Sequence, residues 1–114
     1  PRFFAPAPGL NHLADFHNHL VMQAGAYQNG AFVIGTAKAG VEEGCDLIGE
    51  SCIIAPTGEI MAQCKTMADE LIVASCDLDI CADIQKNRWN FAGNREPDYY
   101  GAITASKGVV SPFG

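Results

Sequence analysis

A chain of 114 residues has room for one domain, and its 48% hydrophobic and 18% charged composition is that of a globular protein, not a disordered or fibrous one. The net charge is −6, and seven Lys and Arg residues are scattered from Arg2 to Lys107 without the basic cluster that binding a phosphate backbone requires, so nucleic acid is not an expected partner. No apolar run approaches the ~18 residues that span a bilayer, and no charged-then-apolar export signal opens the sequence. Five cysteines, an odd number placed mostly in apolar runs, read as small buried hydrophobes in a reducing compartment, and a cytoplasmic location is expected.

Residues 1–9 hold three prolines, which fix φ and remove backbone donors, so this entry segment is predicted to be extended. The sequence begins at Pro1 without an initiator Met, as a piece of a longer protein would. From Asn11 the pattern changes. Leu13, Phe16, Leu20, Ala24 and Tyr27 recur at three- and four-residue steps, which predicts a helix with Asn11 as N-cap and Asn29-Gly30 as its stop. Ala31 to Ala37, short, apolar and partly β-branched, is predicted to be a buried strand. Lys38 to Gly49, rich in glycine and acidic residues, is predicted to be a loop.

The stretch Gly49 to Ala62 predicts a hairpin: a strand over Ser51 to Ala55, a turn over Ala55-Pro56-Thr57-Gly58, and a return strand from Ile60 to Cys64. After a polar turn (Lys65 to Glu70), Leu71 to Cys76 is predicted to form a further strand. Cys81 to Asn90 is predicted to be a short amphipathic helix, and residues 92–114, punctuated by Pro and Gly, an extended tail. Together these elements predict one α/β unit with an incomplete sheet.

The residues that carry chemistry are few. Cys52 has no local base or helix terminus to lower its thiol pKa, so it is expected to be core. No Cys-x-x-Cys pair offers a zinc or redox site. His12, Asp15 and His19 fall at i, i+3 and i+7 on one helical face, where they could gather a metal or simply face solvent, with Asp15 paired to His19. The absence of a fourth ligand favours the solvated face, and neither metal nor cofactor is expected. His17 lies on the other side of the helix beside Phe16. Glu42 and Glu43 lie in a glycine-flanked loop after a buried strand, where α/β folds place ligands, although a loop Glu pair is more often solvated charge. Ser51 lacks the G-x-S-x-G elbow of a hydrolase nucleophile, because residue 53 is Ile.

Three collinear stretches, Phe16 to Phe32 (FHNHLVMQAGAYQNGAF), Glu42 to Ala62 (EEGCDLIGESCIIAPTGEIMA) and Arg95 to Ile103 (REPDYYGAI), resemble the C-terminal third of N-carbamoyl-D-amino-acid amidohydrolases of the nitrilase, or carbon-nitrogen hydrolase, superfamily. The Gly49-x-Ser51 to Pro56-x-Gly58 hairpin resembles the superfamily at large. Met22-Gln23-Ala24-Gly25, Tyr27-Gln28-Asn29-Gly30 and Glu42-Glu43-Gly44-Cys45 resemble the carbamoylase branch. The resemblance implies a four-layer αββα sandwich that dimerises through its layers. It also implies a Glu, Lys and Cys catalytic set, hydrolysing a C–N bond through a covalent enzyme intermediate, that lies upstream of the matched region.

On that reading residues 1–114 are the C-terminal portion of a single hydrolase domain and contain no catalytic residue. Their expected partners are the N-terminal portion of the same enzyme, a small-molecule substrate and a second copy, without nucleic acid or membrane. His17, Glu42 and Glu43 are the candidates for the pocket wall, and Tyr99 and Tyr100 for an oligomer contact. A non-catalytic, self-associating module of the same fold is the alternative. Either way, a half-sandwich with an unpaired sheet edge is expected to be unstable or oligomeric alone.

Overall fold

The computed structural model describes residues 11–108, 111 and 113. The Pro-rich entry, residues 1–9, lies outside them. A single 3-10 turn, Asn11–Leu13, leads into α1 (Ala14–Asn29), so the helix starts three residues later than an Asn11 cap would place it and has Leu13 at its N-cap without a side-chain bond. Its end follows the sequence. Gly30 adopts the left-handed φ of 55°, its N–H bonds back to the Ala26 and Tyr27 carbonyls, and the Ala31 N–H reaches Ala26 O at 3.0 Å.

The central sheet has the order β1 (Val33–Gly35), β4 (Cys52–Ile54), β5 (Ile60–Gln63), all antiparallel, with Gly35 opposite Cys52 and Ile54 opposite Ile60. Each strand is shorter at its ends than the sequence predicts. The turn is as predicted: the Gly58 N–H closes on Ala55 O at 2.8 Å, with Pro56 buried beneath it. α1 lies across one face of this sheet. Ala26, Cys52 and Ile54 are fully buried there, with Met22, Val33 and Ile60 packed around them. Cys52 is therefore a core residue, as expected.

Two predicted elements are corrected. Residues 38–49 are no loop: β2 (Ala39–Glu42) and β3 (Cys45–Ile48) form a separate antiparallel hairpin. Its turn is made by Glu43 and Gly44, both at positive φ (49° and 77°), the combination that matches the twist of a two-residue hairpin. The signal was hidden because Glu43, not Asn, Asp or Gly, takes the first left-handed position. Second, Leu71 to Cys76 takes no regular secondary structure and belongs to no sheet. Its β-type residues supply propensity but not a ladder partner.

The C-terminal third differs too. α2 (Asp79–Asn87) begins two residues before Cys81 and ends three before Asn90, and its Gln85 side chain donates to the Asn29 and Gly30 carbonyls at the end of α1. The tail is not extended throughout but holds α3 (Phe91–Asn94), a 3-10 turn (Pro97–Tyr99) and α4 (Gly101–Ala105). Asn90 caps α3 by accepting from the Gly93 N–H, and Pro97 opens the next turn, where its missing N–H costs nothing. These short helices contain no buried residue.

The molecule measures 49 × 44 × 19 Å with a radius of gyration of 18.4 Å, against about 13 Å for a compact domain of about 100 residues. It is a slab with one helix layer on one sheet, and large apolar side chains remain in water, among them Ile34 (68% exposed), Leu71 (87%) and Tyr99 (82%). Among the described residues no helix is long and apolar enough to cross a membrane.

Candidate functional site

Several polar groups meet where the β2–β3 hairpin joins the central sheet. Gly49 and Glu50, consecutive residues with φ of 62° and 56°, turn the chain out of β3 and into β4. Glu50 in this region carries backbone strain that a glycine would not. The Gly49 N–H closes the hairpin root on Lys38 O at 3.1 Å. Ser51 then clamps the neighbouring connection: its hydroxyl accepts from the Ala37 N–H at 2.9 Å and donates to Ala37 O at 3.2 Å, continuing the β1–β4 pairing through a side chain. With both hydroxyl functions engaged by backbone, Ser51 is structural.

Glu50 faces α1. His19 Nδ1 lies 3.5 Å from Glu50 Oε2, and His19 Nε2 lies 3.5 Å from the Glu50 carbonyl oxygen. These contacts are longer than the usual 2.7–3.2 Å of a good hydrogen bond, and Glu50 Oε2 is buried without one. An open cavity of about 460 Å³ lies beside this point, bordered by Lys38, Glu50, Ser51, Cys64, Thr66 and Glu70 among others. Lys38 is paired with Glu42 along β2.

Glu70 organises the far wall. One carboxylate oxygen accepts from the Lys65 and Thr66 N–H groups, each at 2.9 Å, and from the Thr66 hydroxyl at 3.0 Å. These bonds, the two from backbone foremost, hold its carboxyl below the ordinary carboxylate range. A depressed acid contributes to folding above its unfolded pKa, about 4.3, and the contribution is lost as pH falls through the lower folded value. Glu70→Gln is therefore expected to speed amide exchange at Lys65 and Thr66 at neutral pH. The native chain should show the same loosening only as pH falls below the ordinary carboxylate range. Exchange at these two amides that the substitution leaves unchanged would remove the cap from the account.

The cysteine of β4 is not a nucleophile. Burial pushes the Cys52 thiol up; a hydrogen bond with the Gly35 backbone lowers it in part, and the Glu50 and Cys64 charges add smaller upward contributions. It stays a thiol at neutral pH.

The sequence-predicted site residues do not converge. His17 is exposed on α1, its ring 5.7 Å from that of Phe16. Glu42 and Glu43 sit exposed at the tip of the β2–β3 hairpin, and among the described residues no hydrogen bond or ion pair joins them to His17. His12 is exposed while His19 turns to Glu50, and among the described residues no three His, Cys, Asp or Glu side chains gather as a metal site. Tyr99 is exposed, and the Tyr100 hydroxyl accepts from the Glu96 N–H at 3.0 Å. The Ser51 clamp, the His19–Glu50 contact and the Glu70 cap went unpredicted. Only the last has a local signal, an acidic residue four positions after Thr66 in a polar turn.

Among the described residues at this junction, no thiolate or hydroxyl nucleophile is paired with a base. The family model for carbon-nitrogen hydrolases matches residues 4–86. The chain belongs to this family. It is 31% identical over 81 residues to a "Probable nitrilase" of Schizosaccharomyces pombe, an alignment covering 71% of this chain and 30% of that protein. It is 32% identical over 74 residues to a "Hydrolase in agr operon" of Staphylococcus aureus, covering 65% and 27%. The crystal structure of a carbon-nitrogen hydrolase from Helicobacter pylori superposes with a TM-score of 0.70 at 21% identity, over 87% of this chain and 36% of that one, which places the fold as nitrilase-like α/β. The carbon-nitrogen hydrolase chain matched here spans about a third of the length of these relatives.

Proposed function

We propose that this chain is the C-terminal part of a carbon-nitrogen hydrolase that converts N-carbamoyl amino acids and water to the amino acid, CO2 and ammonia. The observation that carries the reading is a pairing: a family match over residues 4–86 in a chain whose described residues hold no nucleophile with a base. The Glu, Lys and Cys of the reaction then belong to the part of the domain upstream, which would also supply the second sheet of an αββα sandwich. The exposed apolar face of the slab fits that arrangement, because a single layer leaves Ile34 and Met61 in water.

In this setting the junction at Glu50 and the hairpin bearing Glu42 and Glu43 form wall and rim of the pocket, with His17 on the helix side. Tyr99 and Tyr100, on the exposed C-terminal segment, contact a second copy in a homo-oligomer. The carbamoyl preference rests on the α1 sequence Met22 to Gly30 and on the hairpin tip Glu42 to Cys45.

Substrate choice is tested by supplying the rest of the domain and comparing kcat/KM for N-carbamoyl amino acids with that for a plain carboxamide and a nitrile. A preference for the carbamoyl compounds of about tenfold or more, some 1.4 kcal/mol of transition-state discrimination, is expected. Equal or better turnover of the nitrile or carboxamide would overturn the substrate assignment while leaving the family intact.

A further inference from the structure

Both ring nitrogens of His19 face an oxygen of the same residue. Nδ1 faces Glu50 Oε2 and Nε2 faces the Glu50 carbonyl oxygen, each at 3.5 Å, and the two side chains are 14% and 30% exposed. An ionised carboxylate and a backbone carbonyl are acceptors only. A neutral imidazole carries one N–H, so it serves one of these oxygens and turns a nitrogen lone pair on the other. The imidazolium donates to both. With neither bond drawn in to ordinary length, Glu50 Oε2 is buried without a hydrogen bond.

Glu50 has a backbone reason to be held. Its φ of 56° follows Gly49 at 62°, and a residue with a Cβ keeps this conformation only where its surroundings fix it. Bonds from one imidazolium to its carboxylate and to its carbonyl would fix both ends of the residue. On either side, the Gly49 N–H closes on Lys38 O and the Ser51 hydroxyl clamps Ala37, so Glu50 links α1 to the hairpin root. The contact lies wholly within this chain, and Oε2 is already out of water, so atoms added by the rest of the domain deepen its burial. Among the described residues the other titratable groups around the pair are His12 and Asp15 on the same face of α1, Cys52 on β4, and Lys38, Cys64, Asp69 and Glu70 around the cavity that Glu50 borders. Lys38 is paired with Glu42, Glu70 caps the Lys65 and Thr66 amides, and none of these groups forms an ion pair with His19 or Glu50.

We propose that His19 and Glu50 form a proton-operated latch: a second proton on the imidazole locks α1 to the β3–β4 junction, and its loss frees the junction and with it the cavity wall at Glu50 and Ser51. The proton is taken from water and returned to it, and no covalent bond to a heavy atom changes. Because the latch favours the protonated ring, its contribution is present at the acid end of the histidine range and is lost as pH rises. It is a property of this chain's packing and stands whatever the substrate of the whole domain.

The test is residue-resolved amide exchange on the 114-residue chain, in the state in which it is natively folded, with the Ala37 and Gly49 amides as reporters. Measurements at about pH 5.5 and about pH 8 bracket the charge change of a histidine. Protection in the native chain relative to His19→Gln is expected to be about tenfold greater at the acid pH than at the basic one, the size of a hydrogen bond to a charged group. The variant keeps His12 and His17, so their titration is common to both chains. Nitrogen NMR of the rings reads the latch without that variant: His19 should hold protons on both nitrogens at the acid pH and on one at the basic pH, and in Glu50→Gln the second proton should leave at a lower pH than in the native chain. A protection ratio that is equal at the two pH values or larger at the basic one overturns the proposal. So does a singly protonated His19 ring at the acid pH, or a His19 titration that Glu50→Gln leaves unchanged.

Discussion

Truncating Ile54 to alanine is expected to destabilise the folded chain by about 2–5 kcal/mol, the range for deleting a fully buried aliphatic side chain. Ile54 is completely buried, the last residue of β4, and in the cluster with Ala26 and Cys52 that joins α1 to the sheet. A core this small has few neighbours able to collapse into the space, which favours the upper half of the range. Domains are typically stable by only about 5–15 kcal/mol, so the substitution removes a large share of what a single-layer slab can hold. Chemical denaturation, in the state in which the chain is natively folded, reads the effect as a fall in midpoint. A loss below about 1 kcal/mol would mean that the core lies elsewhere.

Gly49→Ala is the second large effect. At φ 62° an L-residue meets its own carbonyl, at a cost of roughly 1–2 kcal/mol. The added Cβ would also stand 2.9 Å from the Ala39 Cβ, a stiff backbone-borne neighbour across the hairpin root. The hairpin must therefore shift. Faster amide exchange over Ala39–Glu42 and Cys45–Ile48, with Cys52–Ile54 little changed, is the expected pattern. Loss spread evenly over both sheets would show that the hairpin is not a separate unit.

These two positions mark how far the sequence could be read. Ile54 lies in an apolar run closed by a Pro-Thr-Gly turn, and all the information for that hairpin is local, so strand, turn and return were legible. The end of α1 was legible for the same reason: Gly30 is the left-handed residue that a helix stop needs. The β2–β3 hairpin was not, because its register depends on Glu43 tolerating a positive φ that sequence patterns assign to Asn, Asp or Gly. Leu71 to Cys76 has the composition of a strand, but strands are defined by partners, and among the described residues it has none. The C-terminal turns are set by caps of a few residues, which Pro and Gly punctuation disguised as an extended tail.

The site was less legible than the fold. His19 and Glu50 are 31 residues apart, and nothing local to either announces the contact. Family membership was written in the Gly49-x-Ser51 to Pro56-x-Gly58 hairpin, and the match over residues 4–86 agrees with it. The carbamoylase specificity and the place of this chain within the whole domain are proposals that rest on finer motifs.

The most direct measurement is ammonia release from an N-carbamoyl amino acid by the purified 114-residue chain, alone and mixed with the complementary part of the domain. No turnover is expected from the chain alone at neutral pH, because Cys52 stays a buried thiol and Ser51 is committed to backbone, and turnover is expected only from the mixture. Hydrolysis by the isolated chain would contradict this, since a nucleophile and base would then have to lie within these residues.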